Sequence, residues 1–174
     1  MSTNLPQKAR DLFNGLKEAK PDLVGVAIFD RIEKTLHQNP AFLEIMWSRR
    51  ELENYFSSKE VMLNYARGQQ PDDLFGRDEM VKREAAMEES IAEVSAALKT
   101  LNNPDPWGPD IKATDEFLDP VFRIYFSKLS LPLTFRKSDY HVLASYVPKS
   151  SIDAEIVAAL DAIDAVAKRA IPRE

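Results

Sequence analysis

His141 is the side chain best suited to acid–base or ligand chemistry, because an imidazole titrates near neutral pH. It directly follows Tyr140 on a predicted short helix that runs from Asp139 to about Tyr146. A short helix beside a connector often borders a cleft. We therefore take His141 and Tyr140, together with Trp47, as candidate residues of a ligand-binding pocket.

Glu84 is the second residue whose position suggests chemistry. The predicted helix 78–103 carries an apolar seam at helical spacing, and Glu84 occupies a seam position. A buried carboxylate there would have a raised pKa, as a general acid or base requires. An ion pair with a basic neighbour at the protein edge is the interpretation that we favour. The apolar members of the seam are Met80, Met87, Ile91, Val94, Leu98 and Leu101.

The motifs of several enzyme classes are missing from the sequence. The chain contains no cysteine, so thiolate nucleophiles, disulfides and Cys-ligated metals are excluded. Its five glycines are scattered, which excludes a glycine-rich phosphate loop. Two histidines are too few for an ordinary metal site, and no metal is expected. We assign no catalytic residue, and the sequence names no cofactor.

The apolar periodicity predicts an all-α fold in which seven to eight helices surround the long central helix 78–103. At 174 residues, a single helical domain spanning 1–174 is expected. The first helix has Pro6 in its first turn, and helices are also predicted over about 23–38 and 40–56. The run 23–29 is β-branched and uncharged, so an α+β fold is the alternative, with strands at 23–29, 131–135 and 140–147.

Apolar faces on the predicted helices indicate where the chain packs. The first helix has a stripe made by Leu5, Ala9, Leu12, Phe13 and Leu16. The last helix has a stripe made by Ile152, Ile156, Leu160, Ile163, Ala167 and Ala170, which we expect to pack along the central helix. The helix after Pro120 is apolar nearly all round. Its Phe122 and Phe126, with Trp107 from a proline-rich connector, are the candidate interface residues.

The net charge of −5 and the interleaved acids and bases argue against nucleic acid as a partner. No apolar run approaches membrane-spanning length, so we expect no membrane partner and a cytoplasmic location. The leading hypothesis is a non-enzymatic helical interaction or regulatory protein that acts through a protein partner or self-association, as a homo-oligomer. The alternative is a helical small-molecule- or cofactor-binding protein, or an enzyme, with a pocket near His141.

Overall fold

The structure is a computed structural model that describes residues 5–68 and 74–172. The chain forms two compact units. The sheet unit consists of Met1–Ser48 and Asp153–Glu174, and the helical unit consists of Arg49–Ile152. Helices and strands follow the order α1 (Pro6–Ala19), β1 (Gly25–Phe29), β2 (Phe42–Met46), α2 (Lys59–Arg67), α3 (Leu74–Thr100), α4 (Asp119–Lys128) and α5 (Ala154–Arg169).

The prediction of an all-α fold with seven to eight helices is wrong. The described residues form six helices, namely α1 to α5 and a π-helical segment at Ala113–Leu118, together with a small parallel sheet. Strand β1 lies where a helix over 23–38 was predicted, and β2 lies within the predicted helix 40–56. The α+β alternative anticipated a strand at 23–29. Its other two candidate strands are an extended connector at 131–136 and a 3-10 helix at Lys137–Tyr146.

The two strands pair in parallel, with Gly25 beside Phe42 and Phe29 beside Met46. Val24, Ile28, Ile32 and Leu36 are spaced by four, which also fits a helix. Strand pairing prevails because β-branched, uncharged side chains suit a pleated surface covered by other elements.

Helix α1 is held on the sheet by one aromatic stack and one buried ion pair. The rings of Phe13 and Phe42 stack with centroids 4.5 Å apart. The Arg10 guanidinium donates to both carboxylate oxygens of Glu44, at 2.6 and 2.7 Å, and the His37 backbone N–H donates to the same carboxylate at 2.9 Å. Arg10 thereby lowers the pKa of Glu44, against the opposing effect of burial. The same carboxylate fixes the crossover between the strands.

The helical unit is organised around α3, which contacts both α2 and α4. Its seam is buried at Met87, Ile91, Val94 and Leu98, whereas Leu101 is exposed. Gly68 ends α2 with a φ of 56°, a left-handed conformation that glycine adopts without strain. Aromatic rings from α2, α4 and the segment after α4 fill the core beside the seam. They are Tyr65, Phe122, Tyr125, Phe126, Phe135 and Tyr140.

Buried hydrogen bonds fix the proline-rich connector to the start of the helical unit. The Asn54 side-chain amide donates to the carbonyl oxygens of Gly108 and Ile111, both at 3.1 Å. The Glu51 carboxylate accepts from the backbone N–H of Thr114 at 3.0 Å and from its hydroxyl at 2.8 Å. These contacts give a segment without regular structure a defined path.

Candidate functional site

Tyr140 and His141 are adjacent in sequence but differ in environment. Tyr140 is buried, and its hydroxyl donates a hydrogen bond to the Asp119 carboxylate. Burial and this hydrogen bond raise the pKa of Tyr140 well above its ordinary value. The His141 ring is exposed, with Nδ1 2.8 Å from the carbonyl oxygen of Ser138. One residue therefore belongs to the core, and the other closes a local turn.

Glu84 forms an ion pair with Arg67. The Arg67 Nη2 and Nε atoms lie 2.5 and 3.0 Å from the two carboxylate oxygens of Glu84. The pKa of Glu84 is lowered chiefly by this hydrogen bonding, whereas a general acid needs a raised value. The carboxylate is ionised near neutral pH and bound to α2.

The remaining candidates are mostly buried side chains. Trp47 is buried in the sheet unit, while Tyr140, His141 and Glu84 belong to the helical unit. Phe122 and Phe126 lie inside the helical core. Trp107 is half-buried and packs edge-on against Phe117, with ring centroids 4.8 Å apart. Phe122, Phe126 and Trp107 therefore contribute to packing within the helical unit.

Two features are absent from the part of the chain that the structure describes. Within residues 5–68 and 74–172, no three acidic or histidine side chains are grouped so that they could hold a metal ion. Across the same residues, no helix is long and apolar enough to cross a bilayer.

The feature of the structure that suits binding is the outer edge of β1. The Gly25 N–H donates to the Ala41 carbonyl at 2.9 Å, and the Trp47 N–H donates to the Phe29 carbonyl at 3.0 Å. In a parallel pair, alternate residues of a strand bond to the neighbour. Gly25, Ala27 and Phe29 therefore face β2, and the N–H and C=O groups of Val24, Val26 and Ile28 point away from it. The described sheet has two strands, so these outward groups have no strand beside them.

Helix α1 forms an apolar wall along this edge. A groove of about 390 Å³ lies between the helix and residues 23–29. Leu12 and Leu16 line it and are 51% and 54% exposed. The close approach of helix and strand depends on Gly25, because a Cβ at this position would lie only 3.3 Å from the rings of both Phe13 and Phe42.

The groove carries almost no charge along the strand. Residues 23–29 carry no charge, and Lys8 is the single charged residue among those that line the groove. Natural edge strands are usually guarded by charges, prolines or bulges. Strand β2 carries Glu44 at its centre, whereas β1 carries none of these guards.

Helix α5 adds a second apolar surface to the sheet unit. It contacts β1, and Ala159 and Val166 are its buried residues. Leu160 and Ile163, which belong to the apolar stripe predicted on this helix, are 59% and 37% exposed. On α1 too, Leu5, Leu12 and Leu16 are exposed, and Phe13 carries the packing. Apolar side chains thus remain uncovered on both helices that contact β1.

The arrangement can bind a protein strand through main-chain hydrogen bonds and apolar contacts, as in strand addition to a sheet edge. Sequence reasoning missed this site because helices were predicted across both strands. The uncharged, β-branched run 23–29 was the signal that could have revealed it.

Comparison of the chain with protein-family models, with curated proteins and with solved structures finds no match.

Proposed function

We propose that the protein is a non-enzymatic interaction protein that binds a protein partner through the open edge of β1. The observation that carries the proposal is the unguarded strand edge beside the exposed apolar face of α1. Its outward backbone groups can donate and accept hydrogen bonds, and Leu12 and Leu16 can bury apolar surface against the incoming strand.

The size of the apolar contribution supports this proposal. Burying a leucine side chain that was fully exposed contributes about 1.5–3 kcal/mol. Leu12 and Leu16 are each about half exposed, so covering both contributes roughly 1.5–3 kcal/mol in total. Each new backbone hydrogen bond adds about 0.5–1.5 kcal/mol net. A strand that bonds at several outward groups therefore gains enough to offset part of the entropy cost of association.

The environments of the residues first considered for chemistry also support a non-enzymatic function. The Glu84 carboxylate is occupied by Arg67, and Tyr140 is a buried hydrogen-bond donor to Asp119. These contacts describe structural roles.

The test uses a proline that blocks the outward edge. The Val26 N–H points away from β2, so Val26→Pro removes an outward donor and leaves the ladder between the strands intact. Thr134→Pro is the control, because Thr134 lies in an exposed extended connector of the helical unit. Fluorescently labelled full-length chain is sedimented in cell lysate, where a complex of any composition exceeds the 19.7 kDa monomer.

We expect the wild type and Thr134→Pro to sediment as complexes and Val26→Pro to sediment as the monomer. A wild-type chain that remains monomeric in lysate would contradict the proposal. Complexes that persist unchanged with Val26→Pro would contradict it equally, because they would not depend on the edge. Circular dichroism of each variant verifies that the fold is retained.

A further inference from the structure

We infer that the partner at the open edge is a second copy of this chain, paired antiparallel through β1 to form a continuous four-stranded sheet of order β2-β1-β1-β2. This inference rests on the proposed function and names its partner. Four features of the sheet unit support it: the absence of charge, the backbone register, the widths of the elements and the second exposed helix face.

Charge is the first feature. A two-fold interface brings the same surface of both subunits together, so a charge near its axis meets its own copy. Residues 23–29 are free of charge, and the nearest acids in the chain, Asp22 and Asp30, lie just outside this run. Because the whole chain carries a net charge of −5, two copies approach most favourably through an uncharged patch.

The backbone register is the second feature. The outward residues Val24, Val26 and Ile28 recur at every second position. A two-fold axis normal to the sheet can place an outward-facing residue of one copy opposite an outward-facing residue of the other. The outward N–H groups of each copy then face the outward C=O groups of its partner. The edge is therefore able to form an antiparallel ladder with itself without a bulge.

The widths of the elements are the third feature. Strands lie about 4.8 Å apart, so two strands are about as wide as one helix, which measures roughly 10 Å across. A four-stranded sheet holds two helices on each face at the usual packing distance of about 8–10 Å. The second copy supplies its own α1, which packs on Leu12 and Leu16. A lone peptide strand would cover Leu12 and Leu16 with its own side chains alone, whereas the second copy covers them with a whole helix.

The fourth feature is the apolar surface of α5. This helix also contacts β1, and it exposes Leu160 and Ile163. A second copy brings an equivalent α5 with an equivalent apolar surface. The pairing therefore explains the exposed leucines of α1, and it brings into the same assembly a second α5 with the same apolar surface.

The position of Leu12 allows a direct test. Phe13 lies beside Gly25 at the start of β1, and Arg10 binds Glu44, the residue that pairs with Ala27. Leu12 lies between these two contacts on α1, so it is level with the part of β1 between Gly25 and Ala27, where the inferred axis passes. The natural chain contains no cysteine, which makes a single introduced cysteine an unambiguous probe. Leu12→Cys is compared with Val81→Cys, because Val81 is 62% exposed on α3 in the helical unit.

Purified wild-type chain is expected to sediment at equilibrium with twice the monomer mass of 19.7 kDa. Leu12→Cys should form a disulfide-linked dimer under mild oxidation, and Val81→Cys should not. Leu12→Glu, which places two carboxylates near the axis, should weaken the dimer by about tenfold or more, equivalent to at least 1.4 kcal/mol. Val81→Glu should leave the dissociation constant unchanged.

A purified wild type that remains a monomer at high micromolar concentration would overturn the inference. A dimer that resists Leu12→Glu and that Leu12→Cys does not cross-link would overturn it as well. The purified chain could be monomeric and still form a complex in lysate that Val26→Pro abolishes. In that case the partner is not a second copy, and the proposed function stands. If neither the dimer nor the complex in lysate forms, the inference and the proposed function are both wrong.

Discussion

Replacing Phe13 with alanine is the most direct test of how the sheet unit is held together. Phe13 is 5% exposed and stacks on Phe42. Truncation of a buried phenylalanine to alanine costs about 3–5 kcal/mol, including the cavity that remains. Gly25 borders the same space without a side chain to fill it, which places the expected loss in the upper part of that range.

This loss is large relative to the stability available to the unit. At about 0.05–0.15 kcal/mol per residue, a unit the size of Met1–Ser48 with Asp153–Glu174 is stable by roughly 4–10 kcal/mol. Phe13→Ala should therefore bring the sheet unit close to unfolding at ambient temperature. The groove for the proposed partner would be lost with it, because α1 forms its wall.

The two tryptophans allow each unit to be followed separately. Trp47 belongs to the sheet unit and Trp107 to the helical unit. Urea unfolding is followed by fluorescence in two parent variants, Trp107→Phe and Trp47→Phe, each of which retains one reporter. Protein concentration is kept fixed, since self-association adds to apparent stability.

We expect Phe13→Ala to lower the free energy of unfolding reported by Trp47 by about 3–5 kcal/mol. The transition reported by Trp107 should stay within about 0.5 kcal/mol of its parent. Phe75→Ala is the matched control, because Phe75 is 83% exposed on α3 and should change neither transition. A Trp47 shift below about 1 kcal/mol would refute the packing argument. Equal shifts of both reporters would instead support the single cooperative domain predicted from chain length.

Three further predictions use the same reporters. Arg10 lowers the pKa of Glu44, so the ion pair contributes its full stability above the ordinary glutamate pKa of about 4.3 and loses it as the pH falls through the lowered pKa. Acid should therefore destabilise the wild type more steeply than Glu44→Gln when unfolding is followed by Trp47 fluorescence. Tyr140→Phe should lower the Trp107-reported free energy by about 1.5–3 kcal/mol, and a value no larger than that of the exposed control His141→Ala would contradict the buried hydrogen bond. Asn54→Ala should cost about 1–3 kcal/mol by leaving two connector carbonyls without their donor, and an unchanged Trp107 transition would show that the connector does not need it.

The long helix was predictable from sequence because its signal is local. Helical spacing repeated over six turns or more specifies both the helix and its buried face, and Met87 to Leu98 are buried accordingly. The helix observed at Leu74–Thr100 is shifted by a few residues from the predicted 78–103, as expected for element ends. Glu84 could also be interpreted locally, since a carboxylate near a helix start commonly meets a basic neighbour.

The sheet was not predictable in the same way, because its stability comes from a pairing between segments that are distant in sequence. Residues 23–29 satisfy both a helix period and a strand composition, and only β2 resolves the choice. β2 itself contains a charged residue, Glu44, at its centre. The buried ion pair with Arg10 neutralises that carboxylate and lets it lie beneath α1.

The proposed binding edge was not predicted from the sequence for a further reason. Apolar periodicity identifies the face of a helix that avoids water, but it does not say whether the covering surface belongs to the same molecule. Leu12 and Leu160 were predicted as members of apolar stripes, and both are exposed. The stripe on α1 is wider than Phe13 alone needs for its contact with the sheet.

The two edges of the sheet show why this excess apolar surface points to binding. Strand β2 has a charged residue at its centre, held by Arg10 and by the crossover, so any incoming strand would have to accommodate that arrangement. Strand β1 has no charge, proline or bulge, although a single lysine on its edge would have protected it from unwanted pairing. An edge that is left unprotected and flanked by leucines is a liability in a monomer and an advantage in an assembly. The asymmetry between the two strands therefore supports β1, rather than β2, as the edge of the proposed interaction.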